Sequence, residues 1–386
     1  MAKTKNFIIA VFLLILVFSI SACGKKDSAG SSKENVRTGT QAILMNFLPN
    51  NPPDKIHAES DSARNQFDVV LELRNQGAYP QPEDLSLIGG FGGPKGRLYL
   101  SGYDPYIITL VPKAPKSGQS ATGADLNQLA LDGKSTINPN GGQDILAFQG
   151  TVDYSKLRVD KYDVILLATA CYQYQTVVGP TVCIDPDPYT TVNQKKVCQV
   201  KDTALSSQGA PVAITSINEE AFDQKTQFKI TIKNVGGGEV VKKESLDKCD
   251  PYGKSSTAAG SSNSNKIERD DLDKVYVDFV NIADRPITCG PFADGTVKGT
   301  SGLLRMINGE GFIICELQKG KGEYSQTNTA YTTPMVIHLS YGYRTTIQRN
   351  IQVIREPPSS GSSPQPEAPT SLPESPSTYV PGTLRA

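Results

Sequence analysis

Apolar and polar residues alternate with a period of two along much of the chain, and two of the alternating stretches occur twice in the same order. Leu71-Glu72-Leu73-Arg74-Asn75-Gln76-Gly77 matches Ile230-Thr231-Ile232-Lys233-Asn234-Val235-Gly236 at an offset of 159 (230 − 71). Tyr172-Gln173-Tyr174-Gln175-Thr176 matches Tyr341-Gly342-Tyr343-Arg344-Thr345 at an offset of 169 (341 − 172). Period-two alternation gives a strand with one buried face. Asn and Gly tolerate positive φ, so Asn-x-Gly reads as a turn. The Asn-to-Tyr separations are similar, 97 (172 − 75) and 107 (341 − 234), which points to a duplicated domain.

The same pattern predicts strands at Phe67–Arg74, Arg97–Leu100, Ile107–Val111, Ile145–Phe148, Tyr162–Ala170 and Thr181–Ile184. In the second copy it predicts Val212–Ile217, Phe228–Lys233, Lys274–Val280, Gly311–Leu317, Met335–Tyr343 and Thr346–Ile354. Helical pattern is confined to Ala124–Leu131 and Glu219-Glu220-Ala221-Phe222. The expected fold is mainly β: two tandem antiparallel sandwiches, residues 40–201 and 208–355. Residues 356–386 are rich in Pro, Ser, Thr and Glu and are expected to form a disordered tail.

The strand that ends in Asn-x-Gly resembles strands of immunoglobulin-like sandwiches in surface proteins, above all the cell-adhesion-related modules of prokaryotic envelope proteins. The immunoglobulin Cys-Trp-Cys signature is missing, because the chain has no tryptophan. In overall style the chain also resembles lipid-anchored surface proteins of small-genome archaea.

The N-terminus departs from this β pattern. Lys3 and Lys5 precede an apolar run from Phe7 to Ile20, interrupted by Ser19. At about 14 residues it is short for a membrane span, which needs about 20, and suits the h-region of a signal peptide. Ile20-Ser21-Ala22-Cys23 then resembles the lipobox of lipoproteins. That resemblance implies removal of residues 1–22, lipidation of Cys23 and attachment to the outer face of a membrane. Residues 23–39 read as a flexible tether.

Charge is balanced over the 386 residues, 39 basic against 39 acidic, which argues against phosphate contacts and a nucleic-acid partner. Without Lys3 and Lys5 the balance is 37 to 39, a net charge of −2, so basic attraction to lipid adds nothing to the anchor. Glycine (34) and proline (26) favour short strands and turns.

Of seven cysteines, Cys23 is taken by the lipobox. Cys171, Cys183, Cys198, Cys249, Cys289 and Cys315 remain as disulfide candidates, an even set suited to an oxidising compartment. None of them forms a C-x-x-C pair, and fifteen connectivities are open. Local geometry favours Cys171 with Cys183 across a hairpin at Gly179-Pro180, and Cys289 with Cys315. Cys198 with Cys249 follows by elimination.

Catalytic candidates are few. Triad chemistry needs a histidine beside a nucleophile. The two histidines are His57, in a Pro/Lys/Asp-rich stretch, and His338, on the exposed side of a predicted strand. Gly89-Gly90-Phe91-Gly92-Gly93-Pro94-Lys95-Gly96 lacks phosphate-loop spacing and reads as a β-connection. Asp185-Pro186-Asp187 and Asp270-Asp271-Leu272-Asp273 offer hard oxygens for calcium without the EF-hand pattern, so solvated charge is expected. The paired tyrosines read as core packing with bonded hydroxyls. Neither a cofactor nor catalysis is expected. The functional expectation is a structural, adhesive or protein-binding envelope protein, with other envelope proteins as partners. The alternative is a substrate-binding lipoprotein of a transport system.

Overall fold

The structure, a computed structural model, describes residues 36–60, 65–80, 96–113, 128–129, 131–189, 196–252, 266–318 and 329–357. Residues 1–35, with the signal segment, Cys23 and most of the tether, lie outside the described residues. So do Gly89–Lys95, most of Ala124–Leu131, and the tail from residue 358 onward.

The first repeat contributes β1 (Ile43–Phe47), β2 (Lys55–Ala58), β3 (Gln66–Asn75), β4 (Gly96–Ser101), β5 (Ile108–Pro112), β6 (Gln128–Leu129), β7 (Gln143–Val152), β8 (Lys161–Val178) and β9 (Thr181–Ile184). Next come β10 (Thr203–Ala204), β11 (Val212–Ala221), β12 (Lys225–Asn234), β13 (Glu239–Val241), β14 (Lys274–Ile282), β15 (Arg285–Pro286), β16 (Thr288–Gly290), β17 (Gly302–Arg305), β18 (Glu310–Gln318) and β19 (Tyr331–Arg355). Two 3-10 helices, Lys243–Cys249 and Arg269–Asp271, complete the described elements. The fold is mainly β and built from antiparallel sheets, as the alternation predicts. Glu219-Glu220-Ala221-Phe222 is not helical: β11 runs through Ala221. Its pairing with β12 satisfies the backbone, which overrides a short local helical preference.

Alternation sets which side of each strand is buried. In β3, Phe67, Val69, Leu71 and Leu73 face the core, and in β12 Phe228, Ile230 and Ile232 do. The sheet β1-β3-β7-β5 forms one layer of the first repeat, and β10-β11-β12-β18-β16 one layer of the second. Both contribute to one continuous core with a third sheet, β15-β14-β19-β8-β4-β6, which draws strands from both repeats. The tandem sandwiches are therefore not separate bodies in series. They stand side by side on a common sheet.

The spine of that sheet is a long antiparallel ladder. All 18 residues of β8 pair with Ile337–Ile354 of β19. β9 then pairs with Tyr331–Pro334 in the same register, and Met335 N donates to Pro180 O across the gap. The ladder from Tyr331 to Ile354 spans about 80 Å at the usual rise per residue. Two strands predicted at Met335–Tyr343 and Thr346–Ile354 are thus one strand of 25 residues.

The repeats pair their strands in the same way where the sequence motifs agree. Ile43 pairs with Asn75, and Val212 with Asn234. From Ile43 to Val212 the offset is 169, whereas from Asn75 to Asn234 it is 159. The difference of ten residues lies between β1 and β3, where the first repeat makes an excursion through β2. β2 pairs with Gln352–Arg355 of β19, the one parallel pairing among the described strands.

Candidate functional site

The two Tyr-x-Tyr motifs meet at the middle of the ladder. Tyr172 lies opposite Tyr343 and Tyr174 opposite Tyr341, with Gln173 opposite Gly342 between them. All four rings are buried, with neighbouring centroids 6.0–6.4 Å apart. Each ring's hydroxyl has the same job in both copies. Tyr172 accepts the backbone N–H of Ile43 (3.2 Å), and Tyr341 accepts that of Val212 (3.3 Å). Each also reaches a threonine of the other repeat: Tyr172 with Thr345 (3.4 Å), Tyr341 with Thr176 (2.9 Å). Burial raises the Tyr172 and Tyr341 hydroxyls far above the ordinary tyrosine range, so they stay protonated.

Tyr174 and Tyr343 bind the Asn-x-Gly turns. Tyr343 donates to Asn234 Oδ1 (3.1 Å) and accepts the N–H of Gly238 (2.8 Å). Tyr174 makes the matching contacts with Asn75 Oδ1 (3.4 Å) and Tyr79 N (3.3 Å). Each asparagine holds its own loop, Asn75 Nδ2 to Tyr79 O (2.7 Å) and Asn234 Nδ2 to Gly238 O (2.8 Å). Positive φ is not why the glycines are there, since neither Gly77 nor Gly236 adopts it. A Cβ at either position would collide with the hydroxyl of Tyr174 or Tyr343. The two motifs of each repeat are therefore halves of one device, which locks the turn of one sheet onto the spine of the other.

On the opposite face of the spine, the 3-10 helix Lys243–Cys249 covers the centre. Its last residue is bonded to Cys171, on the outward side of β8. The other disulfides join Cys183 with Cys198 and Cys289 with Cys315. Cys289 and Cys315 are direct cross-strand partners in β16 and β18, the pair expected from the sequence. The expected pairs Cys171–Cys183 and Cys198–Cys249 do not form. Gly179-Pro180 does not reverse the chain, because β8 and β9 run on along one partner strand. That extended run sets Cys171 and Cys183 about 40 Å apart. Three disulfides are the chemistry of an oxidising, extracytoplasmic setting. No described helix is long and apolar enough to cross a membrane.

His338 does lie on the side of β19 opposite the core tyrosines, but it is buried rather than exposed. Its Nδ1 donates to Asp278 (2.7 Å) and its ring stacks on Phe279. Ser340 donates to the other oxygen of Asp278 (2.9 Å), and Lys243 donates to Ser340 (2.9 Å). Serine, histidine and aspartate therefore meet without triad geometry. The hydroxyl proton goes to the carboxylate, not to the imidazole, so the histidine does not activate the serine. His57, on β2, pairs with Glu356 at 2.5 Å on the surface.

The acidic clusters are neither wholly solvated nor gathered around a cation. Asp185 and Asp271 are buried, and lysines neutralise them: Lys196 with Asp185 (2.6 Å), Lys248 with Asp271 (3.0 Å). Burial opposes ionisation of Asp271, yet bonds from Ser245, the Glu268 N–H and Lys248 outweigh it and hold its carboxyl below the usual range. Lys274 pairs with Asp270 (2.8 Å). Among the described residues no group of three or more His, Cys, Asp or Glu is placed to hold a metal ion.

Among the described residues two cavities stand out. One, of about 560 Å³, lies on the outer face beside the Cys171–Cys249 bond and is edged by Thr169, Glu239, Lys248 and Arg344. Its charges are largely internally matched, Arg344 with Glu239 and Lys248 with Asp271. The other, of about 420 Å³, contains Glu219. Sequence reasoning missed this residue, although alternation with buried Ile217 points it inward.

No protein-family model matches this chain, and no curated protein matches it. Among solved structures, the collagen binding domain of Erysipelothrix rhusiopathiae surface protein RspB aligns with 82% of this chain and 97% of that chain. The identity is 7% and the TM-score 0.11, and a likeness that slight carries no argument.

Proposed function

We propose that the chain is a non-catalytic, lipid-anchored protein of the cell envelope whose paired sandwiches form a rigid structural, adhesive or protein-binding unit. The observation that carries this reading is the uninterrupted β8–β19 ladder. It makes the two repeats one stiff body, suited to holding a surface at a fixed distance from a membrane. The Cys171–Cys249 bond and the tyrosine joint stiffen the same region from opposite faces. Lipidation at Cys23 supplies the anchor, and three disulfides suit the compartment. A solute receptor that closes by lobe rotation needs a hinge between its halves. Here the repeats share backbone pairing where that hinge would be, so the envelope reading is preferred to the transport one.

The test is metabolic labelling of the full chain with an alkyne fatty acid, followed by cell fractionation and cross-linked pull-down from intact envelopes. The expected result is labelled, membrane-bound protein that retains surface partners, with label and membrane attachment lost in Cys23→Ala. Recovery of unlabelled, cytoplasmic, partnerless protein would sink the proposal.

A further inference from the structure

The cavity of about 420 Å³ lies where β9, the segment leading to β10, β11 and β19 converge. Thr181, Gln199, Lys201, Thr203, Glu219 and Thr332 line it, and the Cys183–Cys198 bond forms part of its wall. Glu219 is 6% exposed. One carboxyl oxygen, Oε2, accepts a long bond from Cys183 N (3.4 Å), and Oε1 has no hydrogen-bond partner. A buried acceptor left unmatched costs free energy, and native proteins rarely leave one without a reason. Lys201 shares the cavity and has no carboxylate partner among the described residues. A carboxyl and an ammonium group thus line one small space without pairing with each other.

We propose that this cavity binds a small zwitterion of the α-amino acid class, its ammonium against Glu219 and its carboxylate against Lys201. A purely cationic ligand would meet Lys201, and a purely anionic one would meet Glu219. A zwitterion satisfies both and fits the volume with room for a side chain. The threonine hydroxyls and the Gln199 amide supply neutral donors and acceptors around it. Burial also pushes the Glu219 carboxyl up to about 7. An ammonium at Oε1 favours the ionised form, so binding near neutral pH releases a proton. The site is independent of the envelope role: the anchor test and this one fail separately.

The experiment is calorimetric titration of the full-length protein in detergent with free amino acids at pH 7. Measurement in two buffers of different ionisation enthalpy reads the proton. Methylammonium and acetate serve as half-ligands. Saturable binding of at least one amino acid is expected, about tenfold or more tighter than either half-ligand, with proton release. Glu219→Gln should weaken it about tenfold and abolish the release, and Lys201→Met, on an exposed side chain, should weaken it similarly. If Glu219→Gln does not fold, the Lys201 variant decides. Absence of saturation by any amino acid, equal binding of a half-ligand, or unchanged affinity in the folded variants would overturn the proposal.

Discussion

Tyr172 and Tyr341 occupy equivalent places in the two repeats, and each bonds a threonine of the other. Around Tyr341 the bonds close a ring. Val212 N donates to the Tyr341 hydroxyl, which donates to Thr176, which donates to Val212 O (2.6 Å). Every polar atom in this buried ring is matched, so the joint is held by backbone and side chains of both copies.

Removal of one hydroxyl tests the ring. Tyr341→Phe leaves the Val212 N–H without its partner, at a cost of about 1–3 kcal/mol. Tyr172→Phe should cost less, because its threonine contact is longer, 3.4 against 2.9 Å. Chemical denaturation of the two variants gives the comparison. Equal stability of both to the parent would show that the hydroxyls do not hold the joint.

Close approach, not backbone conformation, explains the repeated glycines. Gly236→Ala should destabilise by about 1–3 kcal/mol through overpacking against the Tyr343 hydroxyl. Deletion of that hydroxyl should relieve part of the clash, so Gly236→Ala with Tyr343→Phe costs less than the sum of the two. A coupling of about 0.5–3 kcal/mol is expected in the double-mutant cycle. Strict additivity would mean that the glycine serves some other need.

Shared backbone pairing also couples the repeats in unfolding. Neither repeat can lose its half of the ladder without exposing the other's strand. Calorimetry should therefore show one transition, with calorimetric and van't Hoff enthalpies in agreement. Two resolved transitions would mean that the repeats are thermodynamically separate despite the common sheet.

What the sequence disclosed follows from what a linear pattern can encode. Alternation located β3, β12 and the first half of β8, because one face of each is apolar and the other polar. It split β19 in two at Arg344-Thr345, where two consecutive polar residues interrupt the alternation although the strand continues. Repetition disclosed the Asn-x-Gly and Tyr-x-Tyr motifs, but not that they touch, since they lie about a hundred residues apart. The Cys289–Cys315 pair was legible because both residues lie on neighbouring strands close in sequence. Cys171–Cys249 was not, because spacing says nothing about whether a chain turns or continues at Gly179-Pro180. Glu219 carried a usable signal, its parity with Ile217, which the local Glu-Glu-Ala helical pattern obscured.

The disulfides differ in the length of chain they close. Sequence separations are 78, 26 and 15 for Cys171–Cys249, Cys289–Cys315 and Cys183–Cys198. Loop-closure entropy then ranks their stabilisation at about 4.5, 3.5 and 3 kcal/mol. Replacement of Cys171 and Cys249 by alanine should lower stability most and free the 3-10 helix from the outer face. Denaturation of the three double-alanine variants gives the order, and non-reducing peptide maps give the connectivity. A recovered Cys171–Cys183 peptide would contradict the extended run of β8 into β9.

Glu219 should impose a pH dependence of unusual sign for a carboxylate. Burial raises its carboxyl from 4.5 to about 7 in the folded chain. Below the unfolded value the group is protonated in both states and contributes nothing. As pH rises from 4.5 towards 7 the unfolded chain loses its proton first, so the folded state is progressively penalised. Above 7 the penalty is complete, at most about 3 kcal/mol. Glu219→Gln mimics the protonated form and removes the penalty. The variant should match the parent near pH 4 and exceed it at pH 8, with the difference growing between those limits. Denaturant midpoints of both proteins across that range give the curve. A difference that is constant with pH would show that Glu219 ionises as freely in the folded chain as in the unfolded one.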